Sequence, residues 1–346
     1  MSKPVAATSA KRVPQGLGAG WRAAFWQLLL LGAVAGVAVF LVTTLFSNLA
    51  ARRVATGFGF LGEEAGFAIG ESLLAYSPTD AYWHAISVGL LNTLFVAALG
   101  AVLATLLGLF VGLARLARNS LVSGVAGAYI EVIRNLPLLL QLLFWYALFT
   151  EVLPRPRHAW EPIAGVFLSN RGMNLPWLAH EAGQAWWSGW SWQVPVLDGF
   201  NFVGGLTISP ELAALLTGLV LYTAAFMAEI IRAGVLAVGQ GQRQAGVALG
   251  LKRTQLMRLI VLPQALRIIV PPMTSQYLNL TKNSSLAVAI GYPDLVSVVN
   301  TAILQTGQAV EGVLIIMAAY LTVSLATSLL MNWYNHRLMR KGQRHA

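Results

Sequence analysis

Long uncharged apolar runs alternate with shorter polar stretches along this chain, and their lengths predict membrane-crossing helices. A spanning helix needs about 20 predominantly apolar residues. Residues 25–46 contain no charge, and neither do 81–114, whose apolar part starts near Ile86. Residues 121–150 are long enough to cross but carry Glu131 and Arg134. Residues 212–228 form an uncharged run between Glu211 and Glu229, and 268–281 a shorter one that reaches Ile290 if Lys282 is tolerated. Residues 312–336 complete the set. Six spans are expected. The first is too long for a secretory h-region and no Ala-x-Ala site follows promptly, so it is expected to be retained as an anchor.

Basic residues orient these spans. With the N-terminus inside and six crossings, the inner segments hold Lys3, Lys11, Arg12, Arg22, Arg115, Arg118, Arg232, Arg243, Lys252, Arg253, Arg258, Arg267, Arg337, Arg340, Lys341 and Arg344. That is 16 of 23 Lys and Arg and none of the 13 acidic residues, a strong positive-inside bias. Two outer segments are long. Residues 47–80 are rich in Gly, and 151–210 in Trp and Pro, with Trp160, Trp177, Trp186, Trp187, Trp190 and Trp192. Trp favours the headgroup layer, so part of the second is expected on the outer leaflet. Neither shows the turn and strand rhythm of a separate soluble domain.

Composition sharpens this picture. Hydrophobic residues make up 57% and charged residues 10% of the 346 positions. A soluble domain carries about 25% charged residues, so an ordinary soluble enzyme is excluded, as is disorder. The net charge of +10 would suggest nucleic acid on a soluble protein; here it reports orientation, and no nucleic-acid partner is expected. The absence of Cys excludes disulfides and thiolate chemistry. The five His are isolated and no metal site is expected. No phosphate-loop motif occurs. Gly57, Gly59 and Gly62 have Gly-x-Gly-x-x-Gly spacing but follow no strand, so a flexible loop is the better reading.

The acid-free loop from Arg232 to Arg267 carries the most information. Ala245, Val247, Ala248 and Leu249 favour a short helix, which Gly250 can end in a left-handed conformation. Leu251, Leu256, Leu259 and Ile260 give the apolar stripe of a second helix, which Pro263 would end or bend. Two short helices set at an angle about a Gly make a compact knob. The alternative is a basic interfacial helix holding anionic membrane lipid.

The loop resembles the coupling segment of ABC importer permeases, Glu-Ala-Ala-x3-Gly-x9-Ile-x-Leu-Pro. Ala245, Gly250, Ile260, Leu262 and Pro263 fall in register, while Gln244 and Gly246 replace the usual Glu and second Ala. Loss of the Glu should weaken the helix cap and any ionic link to the partner. Residues 131–141, including Pro137 and Gln141, together with 229–234, 239–242, 279–286 and 291–295, resemble the polar amino acid uptake permeases. Within these, Ser169-Asn170-Arg171-Gly172 and the extra first span are similar to the general L-amino acid transporter subgroup.

The resemblance implies an all-α integral membrane protein: a type I ABC importer transmembrane domain, with a five-helix core plus one N-terminal helix. It implies a cytoplasmic tail at 1–24, an anchor at 25–46, a periplasmic segment at 47–85 and a permease domain at 86–336. That domain would contain a periplasmic insert at 151–210 and the coupling loop at 232–267, followed by a basic tail at 337–346. The implied function is the permease subunit of an ATP-driven L-amino acid importer in a bacterial inner membrane, with both termini cytoplasmic. The chain is then not an enzyme and holds no cofactor, ATP and Mg being bound by a partner ATPase. The implied partners are a paralogous second permease forming a heterodimer, two ATP-binding subunits and a periplasmic amino-acid-binding protein. Alternatives are a permease for an opine or acidic amino acid, or an ion-coupled carrier, for which the inverted repeats are missing.

Intramembrane ionisable residues are costly and functional by default. Glu131 and Arg134 are spaced i, i+3 and can pair, either as a gate with Pro137 or as a structural lock between spans. Glu229 and Arg232 have the same spacing, where an interfacial pair is the simpler reading. Gln276, Asn279, Lys282 and Asn283 form one polar stripe beside Ser284. Lys282 could meet a substrate carboxylate, while the amides and Ser284 could meet either end of an amino acid. Alternatively, the stripe bonds helices between permease subunits.

Overall fold

The computed structural model describes residues 17–51, 56–180, 187 and 189–343. Lys3, Lys11, Arg12, Glu181, Trp186 and Arg344 lie outside the described residues. Two compact units divide the chain near residue 56. The first contains helix α1 (Leu17–Ala51), whose Ala24–Leu45 stretch is long and apolar enough to cross a membrane. Its apolar side chains are exposed, as suits a helix dissolved in lipid.

In the second unit, α2 spans Tyr82–Arg115, α3 Ser120–Asn135 and α4 Leu138–Ala147. The third expected crossing is therefore two helices, bent by 103° at the break. Pro137 causes it: the residue before a proline is pushed out of the helical region, and Leu136 is extended with ψ 132°. Gln141 compensates by donating from Nε2 to the carbonyls of Ile133 (3.0 Å) and Leu136 (3.1 Å), which the break frees.

After α4, a π turn leads into a segment that corrects the sequence reading. The described residues of 160–208 form eight short strands. They are β1 (Trp160–Ile163), β2 (Val166–Ser169), β3 (Gly172–Leu175), β4 (Trp177–His180), β5 (Trp190–Gln193), β6 (Val196–Asp198), β7 (Asn201–Val203) and β8 (Leu206–Ile208). A four-stranded antiparallel sheet is ordered β1-β2-β3-β8, and β4-β5 and β6-β7 are separate hairpins. The strand rhythm escaped the sequence because each strand is only three or four residues long. Trp160, Trp177, Trp190 and Trp192 are exposed, so apolar side chains also occupy the outward positions and mask the alternation.

Helix α5 (Pro210–Leu236) returns through the core, N-capped by the Ser209 hydroxyl accepting from Leu212 N. Then come α6 (Gln240–Ala248), α7 (Arg253–Leu256), α8 (Leu262–Asn283), α9 (Leu295–Thr306) and α10 (Ala309–Gln343). Pro263, expected to end or bend the helix, does not end it. A π turn over Met257–Val261 joins α7 to α8, and the wider turn makes room for the ring that would clash with a carbonyl four residues back. Pro271 and Pro272 also lie inside α8 without terminating it. The short apolar helix α9 was not expected.

Small residues on α2 let α5 approach closely, the usual device where lipid supplies no hydrophobic drive between helices. A Cβ on Gly108 would lie 2.8 Å from Met227 Cβ, and one on Gly112 would lie 3.0 Å from the Ala228 carbonyl. Met227, Ile231, Ala265, Ile269 and Leu280 complete this core. Residues 57–81 fold over the ends of α2, α5 and α10. Glu71 Oε1 accepts from Ser209 N (3.2 Å), and Glu311 Oε1 from Gly57 N (2.6 Å). The Gly-x-Gly-x-x-Gly residues belong to this cap, where Phe58–Gly62 is a 3-10 turn.

Candidate functional site: a coupling knob and a polar helix face

Helix α6 ends in a Schellman arrangement. Gly250 is left-handed (φ 75°), its N–H donates to the Val247 carbonyl (2.9 Å), and Leu251 N–H donates to the Gly246 carbonyl (3.1 Å). Lys252 then turns the chain into α7, and its N–H donates to Gln255 Oε1 (2.9 Å). Arg243 ties the knob to the preceding helix by donating to the Val235 carbonyl.

The motif residues divide by position. Gly246 is buried against Leu256, Ile260 and Leu251. Gln244, Ala245 and Gly250 are exposed, as are Leu262 and Pro263 at the start of α8. Val247, Leu249 and Leu259 also point outward, Leu249 with 80% of its surface exposed. The knob is thus pinned from within by Gly246 and offers exposed apolar tips, and Lys252, Arg253 and Arg258 on the same loop are exposed as well.

In α8, Asn279 and Lys282 are exposed while Gln276 and Asn283 are half-buried. These four side chains share a face that this chain leaves uncovered. Ser284 does not join them. It is buried, and its hydroxyl donates to the Thr281 carbonyl (2.7 Å), because the helix tightens to 3-10 at that point.

The two Glu–Arg spacings have different outcomes. Arg232 makes a bidentate pair with Glu229, with bonds of 2.9 and 2.6 Å. Glu131 and Arg134 form no ion pair; both are exposed, and Arg134 turns to the Phe226 ring of α5, 4.8 Å from its centroid. Sharing a helix face permits contact but does not require it, and the ring across the helix interface captures the guanidinium.

Sequence reasoning missed a polar cluster toward the N-terminal end of α2. Asn92 Nδ2 donates to the carbonyls of Glu71 (2.8 Å) and Pro293 (2.9 Å). Thr93 Oγ1 accepts from Leu295 N (3.0 Å). Asn and Thr inside an otherwise apolar run were the available signal. Burial raises the carboxyl pKa of Glu71, opposed by its Ser209 bonds. Burial likewise pushes Asp294, between α8 and α9, up to about 6. Among the described residues, no group of three or more His, Asp or Glu could hold a metal.

Residues 104–340 match the family of binding-protein-dependent transport system inner membrane components. The putative amino-acid ABC transporter permease protein YhdX of Escherichia coli is 43% identical, covering 92% of this chain and 94% of its own length. The general L-amino acid transport system permease protein AapQ of Rhizobium johnstonii is 40% identical, covering 92% of each chain. A solved amino acid ABC transporter with histidines superposes with a TM-score of 0.55 at 27% identity, over 74% of this chain and 95% of that one. The chain belongs to this family of permeases, and its fold is that of the type I ABC importer transmembrane domain.

Proposed function

We propose that this permease is one of two membrane subunits of an ATP-driven L-amino acid importer, and that residues 244–263 couple it to the ATPase. Members of the family work with binding proteins and ATPases. The observation that carries the finer reading is the knob: a Schellman-ended helix pinned at Gly246, with exposed apolar tips and exposed basic residues on the acid-free loop. Such a projection fits a groove on a soluble partner, and a rigid one transmits motion.

The amino acid substrate rests on the names of the relatives. ATP and Mg would be bound by the ATPase, two copies of which require a second permease, here taken as a paralogue. Basic-residue placement supports a cytoplasmic location for both termini and the knob, in a bacterial inner membrane. The uncovered face of α8, with Gln276, Asn279, Lys282 and Asn283, would line the pathway or meet the second permease.

Reconstitution of the complete complex with its binding protein tests this. Uptake of labelled L-amino acids should require ATP, the binding protein and an intact knob. Uptake that persists without the ATPase would overturn the importer reading.

A further inference from the structure

A cleft of about 550 Å3 lies between α2, α8 and α10. All three helices lie in stretches long and apolar enough to cross a membrane. Small side chains on α2 give the cleft its depth, because Ala97, Ala98 and Ala101 stand where longer ones would fill it. No charged residue lines it, and its hydroxyls are mostly bonded within the protein. Thr105 Oγ1 donates to the Ala101 carbonyl (2.7 Å) and pairs with the Tyr277 hydroxyl (3.0 Å), and Thr281 Oγ1 donates to the Tyr277 carbonyl (2.9 Å). A zwitterionic amino acid would lose its hydration here and meet no charge in return, so the cleft is no place for the solute. Its walls suit hydrocarbon. The wall from Leu94 to Leu106 is about 18 Å of helix, close to the ~15 Å of hydrocarbon in one leaflet.

Helix α10 supplies a polar end. Val323 and Leu330 line the cleft, and Arg337 follows at the same seven-residue spacing, so all three share one helix face. On the orientation proposed above, Arg337 lies beyond the cleft toward the inner surface. It is exposed and sits over the Trp333 ring, 4.0 Å from its centroid. Trp favours the headgroup layer and marks that depth. The ion pairs among the described residues are Asp80–His84 and Glu229–Arg232, so Arg337 has none. No Asp or Glu follows Glu311 in the chain, and α2 and α8 contain none. No acidic group on the three helices therefore offsets the guanidinium at this end. An apolar groove about one leaflet long, ending at an uncompensated cation, matches an acyl chain with an anionic head.

We infer that the cleft between α2, α8 and α10 holds an acyl chain of an anionic phospholipid of the inner leaflet, with the headgroup phosphate at Arg337. The choice of leaflet rests on the orientation proposed above. The lipid would brace α8 from the side opposite its uncovered polar face.

Native mass spectrometry of the complete detergent-purified transporter, titrated with phosphatidylglycerol or phosphatidylethanolamine, tests this. The native complex should retain phosphatidylglycerol more tightly. Ala98→Trp fills the cleft from an exposed position and should weaken that retention at least about tenfold. Arg337→Gln should weaken phosphatidylglycerol about fivefold and leave phosphatidylethanolamine unchanged, and Arg337→Lys should keep most of the preference. Native retention in the Trp variant, or an unchanged preference in the Gln variant, would overturn the proposal. So would a Trp variant that reaches the membrane but no longer assembles with the second permease, which would assign the cleft to that subunit. The measurement uses neither ATP nor solute, so a failure of ATP-driven uptake would overturn the importer reading and leave this inference standing.

Discussion

Gly246 and Leu256 are packed so closely between α6 and α7 that a Cβ on Gly246 would lie 2.5 Å from Leu256 Cδ1. Ile260 Cδ1 would be 2.8 Å away on the same side. Both neighbours are ends of flexible side chains, so a methyl can be accommodated by turning them and a larger group cannot. Gly246→Ala is expected to keep most transport. Gly246→Leu should force α6 and the π turn apart, at about 1–3 kcal/mol, and lower binding-protein-stimulated ATPase activity at least tenfold. Full stimulation in the Leu variant would show that the knob's internal packing does not matter for coupling.

Gly250 presents a different demand, on the backbone. Its φ of 75° is strained for a β-branched residue, while its surroundings are open. Gly250→Val should therefore leave the chain in the membrane but rotate α6 relative to α7. ATP-driven uptake should fall while membrane levels, followed by immunoblot, stay near native. Normal uptake would exclude a fixed knob geometry.

Gln141 repairs the break at Pro137. Replacing it by Leu leaves the Ile133 and Leu136 carbonyls without this donor, at a cost of about 1–3 kcal/mol for an unmade bond in a buried site. The purified complex should unfold at a lower temperature. An unchanged melting temperature would show that those carbonyls find other donors.

Lys282 is the cation of the uncovered α8 face. Lys282→Met should abolish or strongly reduce uptake while the complex still assembles with its ATPase. Unchanged transport would remove this residue from the pathway.

Asp294 caps α9 by accepting from Ser297 N (2.9 Å) while burial raises its pKa from 3.8 to about 6. Between those values the folded state holds more protons than the unfolded one, so this group's contribution to stability falls as pH rises through the window. By neutral pH the penalty is on the order of 3 kcal/mol. Asp294→Asn keeps a capping oxygen and removes the charge. The variant should be at least as stable as native protein at pH 7, and its stability should vary less between pH 4 and 6. A destabilised variant at pH 7 would mean that the carboxylate charge itself is required.

The crossings and the knob were legible in the sequence because both depend on local rules. About 20 uncharged apolar residues cannot remain in water, and a Gly after an Ala-rich turn is the simplest left-handed cap. The interior of the third crossing was only half legible. Pro137 announced a disturbance, but its depth of 103° depends on Gln141 and on α5 packing beneath α4. The insert was misread, since strands of three or four residues carry too few positions to show a period against exposed Trp and Phe.

Charge pairing divides the two sources of information most clearly. The same i, i+3 spacing at Glu131–Arg134 and Glu229–Arg232 allowed both to pair, and only the second pair forms. What lay across the helix interface decided it: Phe226 draws Arg134 away. In the same way, the sequence placed Gln276, Asn279, Lys282, Asn283 and Ser284 together, and the tightened end of α8 turned Ser284 inward. Sequence alone determined which segments are apolar enough to cross a membrane, which loop is basic and free of acidic residues, and where the knob bends, because solvation and backbone conformation act residue by residue. Tertiary structure alone decided which polar groups pair and which face is left open, because those outcomes depend on neighbours brought together from distant parts of the chain.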